Sequence, residues 1–311
     1  GRVSGVRASI DGEDRHLRSR AVVLACGGFE ANAEWRARYL GRGWDLAKVR
    51  GSKYNTGDGL EMALKLRAQP YGHWSGCHAV SWERYAADFG DPAITPNYQR
   101  HSYPFGIMIN SRGRRFLDEG ADIRNYTYAK YGHIVLEQPG QFAYQIFDAK
   151  ISGLLRQEYR TKQVTKVTAN SIEELAEKLE DVDTAEFLKT VREFNAAVRN
   201  DRPFDPSIKD GRCAALEIPK SNWAQRIETP PFEAYAITCG ITFTYGGLRI
   251  NTEGCVIDTN HTPMQGLYAA GEIVGGIYYF NAPGGSGLVS GTVFGRIAGE
   301  SASRFARARG G

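Results

Sequence analysis

The sequence predicts a mixed protein of two parts, an α/β domain that is interrupted by an inserted α+β domain. Two short apolar runs, residues 21–26 and 266–270, have the length and composition of buried strands, and each ends at a glycine. The middle of the chain differs, because it is aromatic, polar and irregular, with helices embedded in it. A chain of 311 residues is long enough for two cores. We therefore expect residues 1–74 and 230–311 to form one domain and residues 75–229 to form the other.

The composition excludes several classes of protein. Hydrophobic residues make up 42% of the chain and charged residues 24%, which are ordinary globular values. A net charge of +4 with dispersed basic residues argues against nucleic-acid binding. No apolar run reaches the ~18 residues that a membrane helix needs. The five cysteines are scattered without a Cys-x-x-Cys pair, which indicates reduced thiols in a cytoplasmic protein, with neither a disulfide framework nor a metal site.

A β-hairpin is predicted near the start of the chain. Residues 2–10 and 15–18 read as its two strands, and Asp11-Gly12 is a strong two-residue turn signal between them. The next run, Ala-Val-Val-Leu-Ala-Cys at residues 21–26, reads as a buried parallel strand that stops at Gly27-Gly28.

Three helix starts are predicted further along the chain. Residues 55–59 read Asn-Thr-Gly-Asp-Gly and precede a helical pattern, in which Thr56 is expected to act as the N-cap. Ser171 and Glu174 form a capping-box pattern. A helix after it carries one apolar face at helical spacing, which predicts packing in the core and no site. That face consists of Phe187, Leu188, Val191, Phe194 and Val198.

The most informative stretch is the C-terminal one. Its strand at 266–270 stops at Gly271-Glu272, and Pro-Gly-Gly-Ser-Gly at residues 283–287 then opens an apolar helix. Small residues at a strand end and at a helix start let backbone approach a ligand closely. The free N–H groups of a helix N-terminus suit a ligand group that is, or becomes, negative. We therefore predict a binding site between Glu272 and Ser286.

These segments resemble the flavoproteins of the fumarate reductase/succinate dehydrogenase superfamily. Residues 267–272, Leu-Tyr-Ala-Ala-Gly-Glu, and the glycine-rich residues 281–299 are similar to the C-terminal FAD motif of that family. Residues 22–29, Val-Val-Leu-Ala-Cys-Gly-Gly-Phe, resemble its segment near the FAD adenosine, with Cys26 where the family commonly has Thr. The resemblance implies that FAD is the cofactor, held by a Rossmann-like domain into which a capping domain is inserted.

The same resemblance implies which residues contact FAD. Gly27 and Gly28 are expected near the adenosine, and the segment with Thr56, Gly57 and Asp58 near the flavin. At the C-terminal motif the implied contacts are Gly271 and Glu272 on the ribityl chain, and Gly285, Ser286, Gly287, Leu288 and Val289 at the pyrimidine edge of the flavin ring.

One expected element of such a domain is missing from the sequence. A strand, a Gly-x-Gly-x-x-Gly turn and a helix should hold the FAD diphosphate. The nearest match, residues 285–290, has Ser in place of the third Gly and follows a loop. We therefore expect the chain to be a fragment without its N-terminal diphosphate-binding unit. Losing about four phosphate hydrogen bonds at ~1.5–3 kcal/mol each would weaken FAD binding by ~10⁴-fold, so we expect the fragment alone to carry no flavin and no activity.

The family moves a hydride between flavin N5 and a carbon near a carboxylate, and the resemblance implies residues for that chemistry. His78 lies where fumarate reductases carry a carboxylate-binding His. Arg124 follows the Arg-Phe-x-Asp-Glu segment at residues 115–119, as an Arg of the proton-delivery path does in the family, although the spacing here is longer by one residue.

Three segments that are cationic in the family have lost their cations here. They read Phe-Asp-Ala-Lys-Ile-Ser at residues 147–152, Thr-Phe-Thr-Tyr-Gly-Gly at 242–247 and Asn-Ala-Pro-Gly-Gly at 281–285. This loss argues against fumarate or succinate as the substrate. The last two segments look more like those of FAD-dependent tricarballylate dehydrogenase, and they also resemble those of 3-ketosteroid dehydrogenases. Tyr245, Tyr279 and Lys150 remain equal candidates for the proton acceptor.

The sequence therefore predicts an FAD-dependent dehydrogenase that converts tricarballylate to cis-aconitate. The predicted partners are a small carboxylate substrate and a separate electron acceptor, which allows a cytoplasmic protein to associate with a membrane. A steroid dehydrogenase or a fumarate reductase is the alternative among enzymes. A non-catalytic binding or scaffold protein that kept the fold without the cofactor is the alternative of another class.

Overall fold

A computed structural model describes residues 1–94 and 97–308, and the chain divides into two compact units. Unit 1 contains residues 1–45, 53–78 and those from Phe243 onward, and unit 2 contains Leu46–Ser52 and Ala79–Thr242. One unit therefore comes from both ends of the chain. The two units are defined by contacts between residues. The domain boundaries that the sequence analysis places at residues 74/75 and 229/230 stay a prediction.

The described residues contain strands and helices in a mixed order, which confirms the predicted α/β class. The strands are β1 Gly5–Ile10, β2 Glu13–Arg18, β3 Val22–Leu24, β4 Lys48–Val49, β5 Pro70–Tyr71, β6 Cys77–Glu83, β7 Ile107–Asn110, β8 Ala143–Phe147, β9 Lys166–Ala169, β10 Phe232–Thr244, β11 Gly247–Leu248, β12 Cys255–Ile257 and β13 Pro263–Ala269. The α-helices are α1 Ala33–Trp35, α2 Asp58–Lys65, α3 Tyr128–Leu136, α4 Ile172–Lys178, α5 Thr184–Ala197 and α6 Ser286–Arg307. Shorter helical turns lie at Arg36–Leu40, Trp44–Leu46, Tyr103–Phe105, Arg124–Tyr126, Pro139–Gln141, Ala149–Leu154, Gln157–Arg160 and Gly271–Ile273.

The predicted hairpin is present in unit 1. Strands β1 and β2 pair antiparallel with Ile10 opposite Glu13, so that Asp11 and Gly12 form the turn. Both turn residues have positive φ, 52° and 83°, as a two-residue hairpin turn requires.

The two predicted strands of unit 1 are neighbours. The predicted burial is confirmed for the end of β13, whereas it is wrong for β3, where Val23 is 38% exposed. Side chains alternate between the two faces of a strand, and only the face with Leu24 is covered in the described structure. β3 and β13 pair in parallel, with Leu267 opposite Val22 and Ala269 opposite Leu24, in a sheet of order β12-β13-β3. Helix α6 packs against β13, against β3 and against the turn Gly271–Ile273. Because the strands are parallel, their carboxyl ends meet at one edge of the sheet, which is the edge where α/β proteins place ligands.

Helix α2 of unit 1 does not begin as the sequence predicted. Gly57 occupies its N-cap with a left-handed φ of 89°, and no side chain caps the helix. The predicted capping by Thr56 is therefore wrong, because the helix begins one residue later and the Thr56 hydroxyl faces the Tyr54 carbonyl at 3.5 Å.

Unit 2 is built around the long strand β10. It pairs antiparallel with β8 and β9 and parallel with β4, while β7 extends the sheet beyond β8. Ser171 caps α4 as predicted, since its Oγ accepts the Glu174 N–H at 3.0 Å. The predicted apolar face of α5 is in the core of this unit: Phe187, Val191 and Phe194 are buried in one cluster with residues of β7, β8 and β10.

Candidate functional site

A cavity of about 480 Å³ lies in unit 1 where the parallel strands β3 and β13 end. It extends from the residues that follow these strands to the first turns of α6. Most lining residues are small, so main-chain atoms form much of its wall. The lining residues are Ala25, Cys26, Gly27, Asn55, Ala270, Gly271, Glu272, Gly291 and Gly295.

Glycine is required at the cavity for reasons of space. A Cβ at Gly28 would lie 2.2 Å from Thr244 Oγ1 and 2.4 Å from Glu272 Oε1, so a side chain there would displace the acid. Gly27 has a φ of +79°, and a Cβ on it would lie 2.6 Å from the Asn55 amide nitrogen. On α6, by contrast, a Cβ at Gly295 would meet no atom within 4 Å, which leaves the helix surface open to a ligand.

Two carboxyl groups lie close together beside this cavity. Glu272 lines it, and the buried Glu30 is near enough for its charge to act on Glu272. Burial raises the pKa of Glu272 well above its ordinary value, and the charge of Glu30 raises it further. Burial also raises the pKa of Glu30. The arrangement favours a proton on Glu272, whose carboxyl can then donate one hydrogen bond and accept others.

Two neighbours fix the orientation of this pair. The Thr244 N–H donates to Glu272 Oε1 at 2.8 Å, and the Asn55 amide donates to Glu30 Oε1 at 2.5 Å. The acid at the cavity is therefore held on one side by main chain and on the other by a second acid, so it presents a fixed polar group to the cavity.

The predicted cofactor residues are not all at this cavity. Gly27, Gly271 and Glu272 line it, and Gly28 packs against Glu272. Asp58 lies close enough to the lining residue Cys26 for its charge to raise the pKa of that thiol, whose main cause of elevation is burial.

The other predicted cofactor residues do not line the cavity. The Thr56 carbonyl accepts a hydrogen bond from Asn32, and Gly57 packs against the Trp35 ring. The start of α6 follows Gly285, whose φ is +85°, and Ser286 Oγ donates to the Pro283 carbonyl at 2.6 Å. The remaining residues of this start are Gly287, next to the Tyr278 hydroxyl, and the exposed Leu288 and Val289.

His78 and Tyr245, two predicted catalytic residues, belong to one buried aromatic cluster of unit 1. Phe243 lies between them, 5.0 Å from the His78 ring and 5.6 Å from the Tyr245 ring. Tyr278, which the sequence analysis did not single out, packs 5.7 Å from Tyr245. Tyr279 lies outside the cluster, where it is 58% exposed and stacks on His73.

Arg124 and Lys150, the two other predicted catalytic residues, belong to unit 2. Lys150 Nζ donates to the Arg226 carbonyl at 2.7 Å and pairs with Asp148 at 3.0 Å and Glu228 at 3.3 Å, so its hydrogen-bonding capacity is largely used. Arg124 is half-buried, with its guanidinium 5.4 Å from the Tyr128 ring centre.

The residues around the cavity of unit 1 fit FAD. A wall made of glycine main chain suits a large planar ligand, and a carboxyl group that can donate and accept hydrogen bonds suits the hydroxyl groups of a ribityl chain. Glu30 and Asn55 were missed as site residues, because a carboxyl and an amide after a glycine turn look like surface residues in a sequence.

Within residues 1–94 and 97–308, no group of three or more His, Cys, Asp and Glu side chains could hold a metal ion. Within the same ranges no helix is long and apolar enough to cross a membrane.

Comparisons with known sequences point the same way as this geometry. The sequence profile of a family described as "FAD binding domain" matches residues 1–288. The chain is 32% identical to the NADH:fumarate oxidoreductase of Klebsiella pneumoniae, over 98% of this chain and 30% of that protein. It is 27% identical to the 3-oxosteroid 1-dehydrogenase of Mycolicibacterium smegmatis, over 93% of this chain and 54% of that protein.

Solved structures show the same likeness. The open form of a flavocytochrome c3 fumarate reductase matches with a TM-score of 0.74 and 27% identity, over 98% of this chain and 50% of that one. A 3-ketosteroid Δ1-dehydrogenase from Sterolibacterium denitrificans matches with a TM-score of 0.73 and 24% identity, over 99% and 57%, which shows a shared fold. These likenesses confirm the predicted Rossmann-like fold, and the chain spans between 30% and 57% of the length of the relatives named here.

Proposed function

The chain belongs to the FAD binding domain family, and from that premise we propose that the protein to which it belongs is an FAD-dependent oxidoreductase acting on a carbon–carbon bond. The observation that carries the proposal is the buried Glu272 carboxyl beside the glycine-lined cavity at the ends of β3 and β13. FAD, when bound, supplies the hydride acceptor at its N5 atom.

The chain's own residues would hold the cofactor and position the substrate. Glu272 and the main chain at Gly27 and Gly271 hold FAD in the cavity of unit 1. His78 binds a substrate carboxylate. Tyr245, Tyr279 and Lys150 are equal candidates for exchanging a proton with the substrate carbon, and Arg124 is a candidate for the proton-delivery path.

We propose tricarballylate, oxidised to cis-aconitate, as the substrate, and a separate protein or small molecule as the electron acceptor. The glycine-rich residues 242–247 and 283–287 support this choice through their resemblance to tricarballylate dehydrogenase. The cluster of Tyr245, Tyr278 and Phe243 supports a second candidate, a 3-ketosteroid, since aromatic side chains pack well against an apolar ring system. Anaerobic mixing of the FAD-loaded protein with either compound distinguishes the two, because only a substrate bleaches the flavin absorbance band.

The cofactor site is tested by two matched substitutions on α6. Gly295 lines the cavity and Gly299 lies one turn further along, and a Cβ at either position meets no atom within 4 Å. Gly295→Leu places a side chain in the cavity, so we expect it to weaken FAD binding by at least ~10-fold, or ~1.4 kcal/mol, in a fluorescence titration. Gly299→Leu should bind FAD as the wild type does.

Equal affinity of the two variants for FAD would contradict this placement of the cofactor. Because the fragment alone is expected to carry no flavin, these variants are made in the full-length protein to which the chain belongs. Absence of FAD binding by that folded full-length protein would instead favour the non-catalytic binding or scaffold alternative.

A further inference from the structure

Unit 2 contains a cavity of its own, of about 280 Å³. Two arginines, Arg124 and Arg156, and the buried His101 contribute polar groups to its wall, and no aspartate or glutamate lines it. Phe105 and Trp223 form an apolar part of the same wall. The cavity therefore combines positive charge with a hydrocarbon surface.

The charge of Glu158 acts on the Arg124 guanidinium, but the two side chains form no ion pair. Among the described residues, no carboxylate lies within the 4.0 Å of an ion pair with it, and its side chain donates no hydrogen bond that would hold it in place. Burial lowers the pKa of the Arg124 guanidinium and the positive charge of Arg156 lowers it further, while the charge of Glu158 raises it in part. The two cations thus repel each other across a partly desolvated space.

Arg156 is only partly neutralised. Its Nε donates to Glu158 Oε1 at 2.7 Å, and its main-chain N–H donates to Ser102 Oγ at 3.1 Å. Glu158 is buried, and its carboxylate is the one acidic group paired with either arginine in the described part of the chain. The pair of arginines therefore carries one positive charge more than its neighbouring acid cancels.

We propose that Arg156, together with Arg124, binds a carboxylate of the substrate in this cavity. A carboxylate between them cancels the excess charge and accepts charge-assisted hydrogen bonds from planar guanidinium groups, which are suited to it. Arg156 thereby supplies a cation that replaces those missing from residues 147–152, 242–247 and 281–285. This inference rests on the proposed function, because it assigns the substrate-binding role within it.

The size of the cavity narrows the class of compound. Pockets for drug-sized ligands measure roughly 300–1,000 Å³. A cavity of about 280 Å³ lies just below that range, so it suits a small carboxylic acid with a short carbon skeleton better than it suits a steroid. Phe105 and Trp223 would contact the carbon skeleton while the arginines hold the carboxylate.

The test measures binding directly, without turnover. Tricarballylate, succinate and fumarate are titrated into the FAD-loaded protein in a calorimeter, with trimethyl tricarballylate as the uncharged analogue. We expect Arg156→Gln to weaken binding of at least one acid by ~10–100-fold, as the loss of hydrogen bonds to a charged group does. Arg156→Lys should recover part of that loss, and the uncharged ester should bind the wild type and Arg156→Gln equally.

Arg160→Gln is the matched control, since Arg160 is an exposed arginine of the same segment that contacts the Ser152 carbonyl and does not line the cavity. In steady-state assays Arg156→Gln should raise KM and leave kcat unchanged, because a positioning contact is lost and no reacting group is. The inference is overturned if no acid binds Arg156→Gln more weakly than wild type, or if Arg160→Gln has the same effect. Such a failure would leave FAD binding and flavin bleaching intact, whereas failure of the proposed function would abolish the bleaching.

Discussion

The two units treat buried glutamates in opposite ways. In unit 2 the Glu83 carboxylate accepts a hydrogen bond from Arg100 at 2.8 Å, and both side chains are almost completely inaccessible. Glu119 of the same unit is paired with Arg115, whose Nε lies 3.0 Å away. In unit 1 burial and the charge of Glu30 raise the pKa of Glu272, while the charge of Arg36 offsets part of the rise that burial causes in the pKa of Glu30.

This comparison distinguishes charged pairs that stabilise the fold from titratable groups that belong to a binding site. The opposite charges of a buried ion pair cancel each other and leave no net charge for a ligand, so we assign the pairs of unit 2 to the stability of the fold. Burial and the charge of Glu30 raise the pKa of Glu272, which favours a protonated carboxyl group beside the cavity. A perturbed pair of acids at a cavity is the arrangement expected of a functional site.

Removal of one partner of a buried pair should give the largest effect. Arg100→Met leaves the Glu83 carboxylate buried and unpaired, which costs about 3–5 kcal/mol. Replacing both residues, as Arg100→Met with Glu83→Leu, should restore most of this stability, because the uncompensated charge is gone. Urea unfolding of the two variants measures both changes.

Lys178→Met is the control for that comparison, since Lys178 forms an exposed pair with Glu174 within α4 and its loss should not change the unfolding midpoint. A single Arg100→Met variant as stable as the wild type would show that unit 2 does not depend on its buried pairs.

The next effect concerns Lys220 of unit 2, a fully buried cation that donates to the carbonyls of Pro104 at 2.6 Å and Gly106 at 2.9 Å. Burial lowers the pKa of Lys220 from 10.5 to about 8. Between these values the unfolded chain holds a proton that the folded chain lacks, so stability should rise with pH, by up to about 3 kcal/mol in total. Unfolding curves at increasing pH in that window should show the rise in the wild type and its loss in Lys220→Met.

The opposite slope is expected from the acid pair of unit 1. Because the pKa of Glu272 is raised above its ordinary 4.5, the folded chain keeps a proton that the unfolded chain has lost above that pH. Stability should therefore fall as pH rises above 4.5, by at most ~1.4 kcal/mol per pH unit for one proton. Glu272→Gln, which cannot ionise, should remove this slope in unfolding measurements from weakly acidic to neutral pH.

Glu61→Gln serves as its control, since Glu61 is an exposed residue of α2 in the same unit that pairs with Lys65. If the slope persists in Glu272→Gln and Glu30→Gln alike, neither carboxyl group takes up the proton on folding and the contrast between the units is lost.

The sequence predicted those parts of the fold that local pattern determines. The apolar run at residues 266–270 forms the buried end of β13, and Ser171 caps α4 because its hydroxyl reaches the Glu174 N–H locally. The run at residues 21–26 contains β3, but its predicted burial is wrong, since Val23 is 38% exposed. Thr56 was mispredicted because the left-handed backbone of Gly57 moves the helix start past its hydroxyl. The residue types at positions 56 and 57 do not by themselves show which of the two residues caps the helix.

The site was less predictable because it depends on long-range contacts. Glu30 and Glu272 lie 242 positions apart, and only the pairing of β3 with β13 brings the segments that carry them together. Arg156 likewise lies 32 positions beyond Arg124, and its role depends on a shared cavity. Single-sequence patterns contain no information about such pairings.

The parallel pairing of β3 with β13 also determines when each part of the chain can fold during synthesis. Val22 can pair with Leu267 only after residue 267 has been synthesised, whereas the strands of unit 2 that follow β4 all lie between residues 77 and 244. Since chains are synthesised from the N-terminus and domains generally fold as units, unit 2 can complete its sheet on the ribosome while the first segment of unit 1 is still without its partner strand. A pause in translation between residues 244 and 263 would therefore prolong the lifetime of an exposed β3 edge after unit 2 has folded.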